Sequence, residues 1–221
     1  MPTSSPSAPA DRTHGVPAEP VRRQTLLDRQ LAGGEPDRPT PVDALRLARH
    51  LYNQGERIDM GAIADELGIS RMTLNRWVGT REDLIGEISW GIMRDSLDSA
   101  GRRTRAAGGE RVVEILMALA EAASSHPGAQ AFLEREPELA MRVNTSFSGR
   151  VAPRFVAYLR QLLEEQYEHG LTDLGVEADE LAYAIIQIVS SFFWRPFITG
   201  EPANLASLGA VLRLLLCRDH S

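Results

Sequence analysis

Apolar residues recur at the spacing of an α-helix along nearly all of the chain from Pro41 onward. The strict alternation of apolar and polar residues that marks a half-buried strand is missing, and no hairpin dipeptide separates two β-branched runs. Short stretches rich in Gly, Pro or Asn divide the pattern into segments. The sequence therefore predicts an all-α fold of about nine helices. The predicted helices cover about residues 41–54, 60–67, 71–77, 81–103, 110–125, 129–143 (with a possible break at Pro137), 151–169, 177–195 and 203–217.

Residues 1–39 differ from the rest of the chain in composition. They are rich in Pro, Ser, Ala and Gly and hold few large apolar side chains, so they cannot bury enough surface to offset the loss of chain entropy. We predict a disordered N-terminal arm, in which only residues 21–31 have the leucine spacing of a short helix.

Residue usage excludes several classes of protein. All 24 basic residues among the 221 are arginine, so lysine Schiff-base chemistry and the P-loop lysine are excluded. The single cysteine, Cys217, excludes an internal disulfide framework and a CxxC metal site. The five histidines are scattered, so we predict no metal site. We also predict no other cofactor. No nucleophile–base signature or glycine-rich phosphate loop is present, and we expect no enzyme activity.

The distribution of apolar residues argues against a membrane protein. No stretch approaches the roughly 20 apolar residues that a membrane span needs, and residues 1–39 contain no apolar signal-peptide core. The single cysteine is compatible with a reducing compartment. We therefore expect a cytoplasmic protein without a membrane partner.

The formal net charge of −6 is an unfavourable starting point for a nucleic-acid-binding protein. The charge is unevenly distributed, however. Residues 38–81 contain seven Arg (38, 46, 49, 57, 71, 76 and 81) against five acids (43, 56, 59, 65 and 66), a local balance of +2. Since DNA responds to the local surface potential more than to the total charge, the acidic sum does not exclude DNA binding.

Residues 59–77 have the pattern of a helix-turn-helix. Two short helices, which Asp59 and Ser70 would cap, flank a turn at Gly68, and Gly suits the left-handed conformation that such a turn needs. In this motif the second helix enters the major groove and its first residues face the base edges. A plain helical hairpin with solvated arginines is the alternative interpretation.

Leu74 is the inward-facing residue of the second helix, which directs Arg71, Met72, Asn75 and Arg76 outward, with Thr73 at the edge of the groove. Arginine can bind guanine in bidentate fashion and asparagine can bind adenine, while Thr and Arg can bind phosphates. The spacing therefore predicts a surface suited to double-stranded DNA.

The runs Asp59–Ala64, Leu67–Trp77 and Gly79–Leu84 resemble the N-terminal domain of the TetR family of transcriptional regulators. Asn75, Trp77 and Val78 stand where the family usually has Tyr, His and Phe, and Arg81 matches its basic residue at the start of the fourth helix. Together with the spacing, the resemblance defines a candidate DNA-binding set. This set is Ser70, Arg71, Met72, Thr73, Asn75, Arg76, Trp77 and Arg81.

The resemblance also implies a domain organisation and partners. A helix-turn-helix DNA-binding domain would cover residues 40–80, and a helical ligand-binding and dimerisation domain residues 81–221. We expect a homodimer formed through the last two long helices and bound to a palindromic operator. The chain would be a repressor that leaves DNA when a small amphipathic effector binds. The tail of the chain also resembles the branch of the family that controls quorum-signal or lactone degradation, which makes a lactone one candidate effector.

The helix predicted over 177–195 is apolar almost all round. One stripe along this helix is formed by Tyr183, Gln187, Ser190 and Trp194. This stripe would face solvent, a subunit interface, or an apolar cavity with a few polar groups. On the last interpretation, aromatic and Met residues of other helices share the cavity. The candidate ligand-binding set is Met93, Phe132, Met141, Phe155, Tyr158, Tyr183, Gln187 and Trp194.

Other functions remain open at this stage. An all-α enzyme, or a ligand-binding protein without sequence-specific DNA binding, would share the helical pattern. A helix-turn-helix protein of another class, such as a sugar-responsive repressor with an α/β effector domain, would need strands after residue 90, which the pattern does not predict.

Overall fold

The computed structural model describes residues 38–171 and 175–217. This part of the chain contains helices and no strand, which confirms the all-α prediction. The predicted arm, including residues 21–31, lies outside the described residues except for positions 38 and 39. The helices are α1 (Pro41–Asn53), α2 (Met60–Glu66), α3 (Arg71–Val78), α4 (Arg81–Arg103), α5 (Gly108–Ser125), α6 (Pro127–Arg135), α7 (Pro137–Thr145), α8 (Ala152–Tyr167), α9 (Ala178–Thr199) and α10 (Leu205–Leu216).

The tenth helix arises because the predicted segment 129–143 forms two helices. Pro137 has no backbone N–H and disfavours helical geometry in the residue before it. Glu136 accordingly leaves the helical region, with φ −140° and ψ 59°, and separates α6 from α7.

The boundaries of the first four helices follow from side-chain caps. Thr40 and Asp43 form a capping box at α1, and Thr80 and Asp83 form another at α4. Asp59 accepts hydrogen bonds from the N–H groups of Gly61 at 2.7 Å and Ala62 at 2.9 Å. Each cap satisfies backbone donors that have no partner within the helix, so these termini are specified locally by sequence.

Helices α1, α2 and α3 form the predicted helix-turn-helix unit. Ile63 of α2 and Leu74 of α3 are fully buried, and both share one apolar cluster with Ala44 and Ala48 of α1. Gly68 has φ 64°, the left-handed conformation predicted for the turn. The turn therefore sets α3 with its apolar side inward and the opposite side outward.

Two apolar clusters organise the chain after α3. The first contains the α1–α3 core together with buried residues of α6 and α7, such as Phe132 and Val143. The second joins the C-terminal half of α4 to α5, α8, α9 and α10, with Leu159 and Ile185 fully buried. Since α4 contributes to both clusters, it connects them.

Helices α5 and α10 are in backbone contact. A Cβ at Gly109 of α5 would overlap the carbonyl oxygen of Leu216 on α10, so only glycine allows this approach. The same two helices are linked by Arg213, whose guanidinium donates to the Glu110 carboxylate at 2.8 Å.

Helix α9 corrects one sequence-based expectation. It is long and apolar enough by composition to cross a membrane, although no such stretch was predicted. In the fold, Leu181, Ala182 and Ile185 of α9 are buried in the second apolar cluster. The packing against neighbouring helices is that of a core helix with one open face.

Candidate DNA-binding surface and effector cavity

The outer face of α3 presents most of the predicted DNA-binding residues. Ser70, Arg71, Asn75 and Arg76 are exposed, and the Met72 side chain is 82% exposed. Thr73 and Trp77 are partly buried at the margins of this face. The Ser70 hydroxyl also caps α3 by accepting a hydrogen bond from the Thr73 N–H at 3.1 Å. The geometry thus brings seven of the eight residues to one surface.

Two arginines on this surface are electrostatically available. Within the described part of the chain, neither Arg71 nor Arg76 forms a salt bridge. Arg71 lies near enough to Asp59 to affect its titration. The pKa of Asp59 is lowered mainly by hydrogen bonds from the backbone N–H groups of Ala62 and Gly61, with smaller contributions from the charges of Arg71 and Arg57. The charges of Arg71 and Arg76 therefore remain free to act on an anionic partner.

Arg81, the eighth predicted DNA-binding residue, is held inside the protein. Its Nε donates to the Ile58 carbonyl oxygen at 2.6 Å, and its two terminal nitrogens donate to the Glu136 carboxylate at 2.8 and 2.6 Å. This bidentate pair, about a quarter exposed, lowers the pKa of Glu136. A phosphate contact by Arg81 would have to compete with this carboxylate.

The described residues line a partly open apolar cavity of about 140 Å³ between α1 and α4–α10. No Arg, Asp or Glu lies on its wall, and its polar groups are hydroxyls, one imidazole, one amide and one indole. The wall is formed by Tyr52, Ser89, Ile92, Met93, Ser96, Leu119, Ala120, Ala122, Ala123, His126, Ala129, Phe132, Leu133, Asn144, Thr145, Phe155, Ile186, Val189, Ser190, Phe193, Trp194, Leu205 and Leu208. Such a mostly apolar wall with a few polar groups is typical of a small-molecule site.

The cavity brings together half of the predicted ligand-binding residues. These are Met93, Phe132, Phe155 and Trp194.

The other half lies away from the cavity wall. Tyr183 is 49% exposed and its ring lies tilted against that of Phe147, 5.5 Å between centroids, and Gln187 is also exposed. Tyr158 lies under the Arg94 guanidinium at 5.2 Å, and Met141 packs against the first apolar cluster. The predicted stripe on α9 therefore divides: its first two residues face outward, and Ser190 and Trp194 face the cavity.

Sequence reasoning missed six polar cavity residues: Tyr52, Ser89, Ser96, His126, Asn144 and Thr145. Burial raises the pKa of Tyr52 to about 12, against a small opposing effect of the Ser89 hydroxyl. Burial also lowers the pKa of His126, whose Nδ1 accepts a hydrogen bond from the Ala129 N–H at 3.2 Å. The neutral ring then carries its proton on Nε2. The sequence did contain one signal for Tyr52: Ala44, Ala48 and Tyr52 are spaced as one face of a helix. A tyrosine on a buried face needs a hydrogen-bond partner for its hydroxyl.

Helix α6 forms part of the cavity wall and also holds the helix-turn-helix unit. A Cβ at Gly128 would overlap the Tyr52 carbonyl oxygen, so the start of α6 lies directly on the end of α1. Arg135 donates to the Gly55 carbonyl oxygen at 2.7 Å. At the end of α6, Glu136 binds Arg81, as described above. One nine-residue helix therefore touches both the cavity and the helix-turn-helix unit.

Comparison with known proteins decides the family. Residues 107–217, half of the chain, match the family model described as the tetracyclin repressor-like C-terminal domain. The chain belongs to the TetR family of transcriptional regulators. TetR proteins as a family bind operator DNA and small-molecule effectors, form homodimers, and are generally not enzymes. The matched region begins after α4, so it is independent of the helix-turn-helix motif from which the resemblance was recognised.

One solved TetR-family structure shares the fold, and two others show lower similarity. The transcriptional repressor QsdR from R. erythropolis superposes with a TM-score of 0.74 at 23% identity, over 82% of this chain and 97% of QsdR. A TetR-family regulator from a Shewanella species (TM-score 0.46, 15% identity) covers 80% of this chain and 96% of its own. PfmR from Thermus thermophilus (TM-score 0.40, 19% identity) covers 80% and 99%. No curated protein matches the chain in sequence.

Proposed function

We propose that this TetR-family regulator is a homodimeric repressor that binds a palindromic operator through α3 and leaves it when a small amphipathic effector fills the cavity. The observation that carries the proposal is the double role of α6. Its inner face contributes Ala129, Phe132 and Leu133 to the cavity, and its ends hold α1 and Arg81. A ligand that displaces this helix would therefore move the DNA-binding unit.

The exposed face of α3 supports the proposed contacts with DNA. Arg71 and Arg76 would bind guanine or phosphate, and Asn75 would bind adenine. Met72 supplies an apolar surface for a thymine methyl group, while Ser70, Thr73 and Trp77 would contact the backbone. Arg81 would reach a phosphate only after release from Glu136.

The open faces of the last two helices support dimerisation. Leu214 of α10 is 74% exposed, and Tyr183 and Ile198 of α9 are 49% and 68% exposed. Large apolar side chains grouped at a surface mark an interaction site. A dimer is also needed physically, because one short recognition helix reads few bases and paired half-sites lie about 34–36 Å apart.

The switch requires a difference in affinity between two states. The effector must bind the state with misplaced recognition helices more tightly than the DNA-bound state, or it cannot shift the equilibrium. The uncharged cavity suits an amphipathic molecule, and a lactone is one candidate. A cytoplasmic location completes the proposal, since the operator lies there.

Selection from a pool of random duplex DNA tests the proposal. We expect the protein to enrich a palindromic sequence whose half-sites are one helical turn apart, and an Arg71→Ala/Arg76→Ala variant to enrich none. Enrichment of no sequence by a folded protein would contradict the regulator and favour the alternatives of an all-α enzyme or a ligand-binding protein. Enrichment of a single half-site would contradict the dimer alone.

A further inference from the structure

The end of the cavity nearest α1 contains an unusual hydroxyl group. Ser89 of α4 is 9% exposed and lines the cavity, and no group in the described chain completes a hydrogen bond with its Oγ. The Tyr52 hydroxyl interacts with Ser89 but outside the geometry of a full hydrogen bond. Buried polar groups are nearly always hydrogen-bonded, so a buried hydroxyl facing a cavity calls for a partner from within that cavity.

Two further polar groups lie at the same end. The Tyr52 ring is 6.2 Å from the His126 ring and 5.9 Å from the Phe132 ring, measured between centroids. The neutral His126 ring presents an N–H at Nε2, because Nδ1 is already an acceptor. Hydroxyl and imidazole donors therefore meet an aromatic surface at one point of the wall.

We propose that Ser89, with Tyr52 and His126 beside it, binds an uncharged acceptor of the effector, such as a carbonyl oxygen, while the apolar remainder of the cavity holds the effector's hydrocarbon body. The Ser89 hydroxyl would donate to this oxygen. The inference rests on the proposed function, because it takes the cavity to be the effector site.

The charge of the wall excludes ionic effectors. A carboxylate or ammonium group would enter a cavity whose described wall carries no opposite charge, and burial of an unpaired ion is costly. Arg49, whose charge reaches His126, is already paired with Asp95. The effector class is therefore a neutral molecule with a hydrogen-bond acceptor at one end.

The three residues belong to different elements, which gives the acceptor a structural consequence. Ser89 lies on α4, Tyr52 on α1, and His126 immediately before α6. An effector bound by its acceptor at this point would touch the DNA-binding unit directly through Tyr52, and its hydrocarbon body would touch α6 through Phe132. The polar group of the effector, rather than only its bulk, would then influence the angle between α1 and α6.

A matched set of one-ring probes tests this inference by titration calorimetry on the full chain, without DNA. Acetophenone has a carbonyl oxygen, ethylbenzene has nearly the same shape without it, and benzoate is charged. One ring suits the cavity of about 140 Å³, since an apolar cavity of roughly 150 Å³ binds benzene. We expect acetophenone to bind about fivefold more tightly than ethylbenzene, the effect of one net hydrogen bond, and benzoate not to bind detectably.

Variants assign the effect to a residue. Ser89→Ala should remove the advantage of acetophenone and leave ethylbenzene binding unchanged. The matched control is Ser99→Ala, at a serine of the same helix α4 that does not line the cavity, which should alter neither. Tyr52→Phe, which keeps the ring, gives a second measurement if Ser89→Ala does not fold, and it should also reduce the preference for acetophenone.

Several results would overturn the inference. These are equal affinities for acetophenone and ethylbenzene, tightest binding of benzoate, equal weakening of both neutral probes by Ser89→Ala, or no binding of acetophenone at its solubility limit. Selective DNA binding measured on the same preparation separates this failure from that of the proposed function. A protein that binds DNA but none of the probes refutes only the effector assignment.

Discussion

Single residues connect the DNA-binding unit to the rest of the chain, and Glu136 is the clearest case. Its carboxylate accepts hydrogen bonds from both terminal nitrogens of Arg81, and one carboxylate oxygen lies 3.6 Å from the Nε of Arg57. The pair is only partly exposed, so solvent screens it less than a surface salt bridge. We expect it to stabilise the arrangement in which α4 begins beside α2.

Glu136→Gln tests this stabilisation. We expect the free energy of unfolding at pH 7 to fall by about 1.5–3 kcal/mol, the range for hydrogen bonds to charged groups. Arg81 lowers the pKa of Glu136 below its ordinary value of 4.5, so the stabilisation is present above that pH and is lost as the pH falls through the lowered pKa. The difference between variant and wild type should therefore shrink in acid.

Denaturant unfolding at several pH values measures this difference. Glu138→Gln is the control, because Glu138 is exposed and forms no salt bridge with the described residues. An equal loss in both variants, or a loss that does not depend on pH, would contradict the role given to Glu136.

The exposed arginines of α3 give the second prediction. We expect Arg71→Ala and Arg76→Ala each to weaken operator binding by about 1–3 kcal/mol, the range for a good base contact. Neither residue is buried or paired within the described chain, so the free energy of unfolding should change by less than about 0.5 kcal/mol. Fluorescence anisotropy and thermal unfolding measure the two quantities, with exposed Arg102→Ala as the control. Comparable losses of stability and binding would mean that these arginines are structural.

At the scale of elements, the sequence predicted what local chemistry specifies. The caps Asp59 and Ser70 and the turn at Gly68 mark α2 and α3 with no need of tertiary contacts. The cavity could not be predicted in this way, because Tyr52, Ser89 and His126 are far apart in sequence and meet only through packing. For the same reason, the sequence did not reveal that Glu136 binds Arg81, and a contact of Arg81 with DNA stays a prediction.

The docking of α6 on α1 gives the third prediction. A Cβ at Gly128 would overlap the Tyr52 carbonyl oxygen, which is backbone and cannot rotate away. We expect Gly128→Ala to lower the free energy of unfolding by about 1–3 kcal/mol, as overpacking does. It should also weaken DNA binding, because α1 must move.

The matched control for α6 is Gly101→Ala on α4. The nearest atom to a Cβ there is 3.8 Å away, which is ordinary contact, so alanine should stabilise the helix by up to about 1 kcal/mol. Opposite signs for the two substitutions in thermal unfolding support the close approach of α6 to α1. Stabilisation by Gly128→Ala would refute it.

At the scale of the whole molecule, the last two helices leave apolar side chains at the surface. We expect Leu214→Glu to convert the dimer to a monomer, because it would bury an unpaired charge at the interface while leaving the protomer intact. Sedimentation velocity measures the change, and circular dichroism checks that helix content is kept. A wild-type chain that sediments as a monomer at every concentration would contradict the dimer.

The central claim is that this chain binds DNA sequence-selectively through α3. The direct measurement is a titration of a fluorescent duplex that carries the selected palindrome, at several salt concentrations. We expect saturable binding that exceeds binding to a scrambled duplex and weakens steeply as salt rises, because contacts to phosphates release counterions. Equal binding of the two duplexes, or none at micromolar protein and low salt, would contradict the claim.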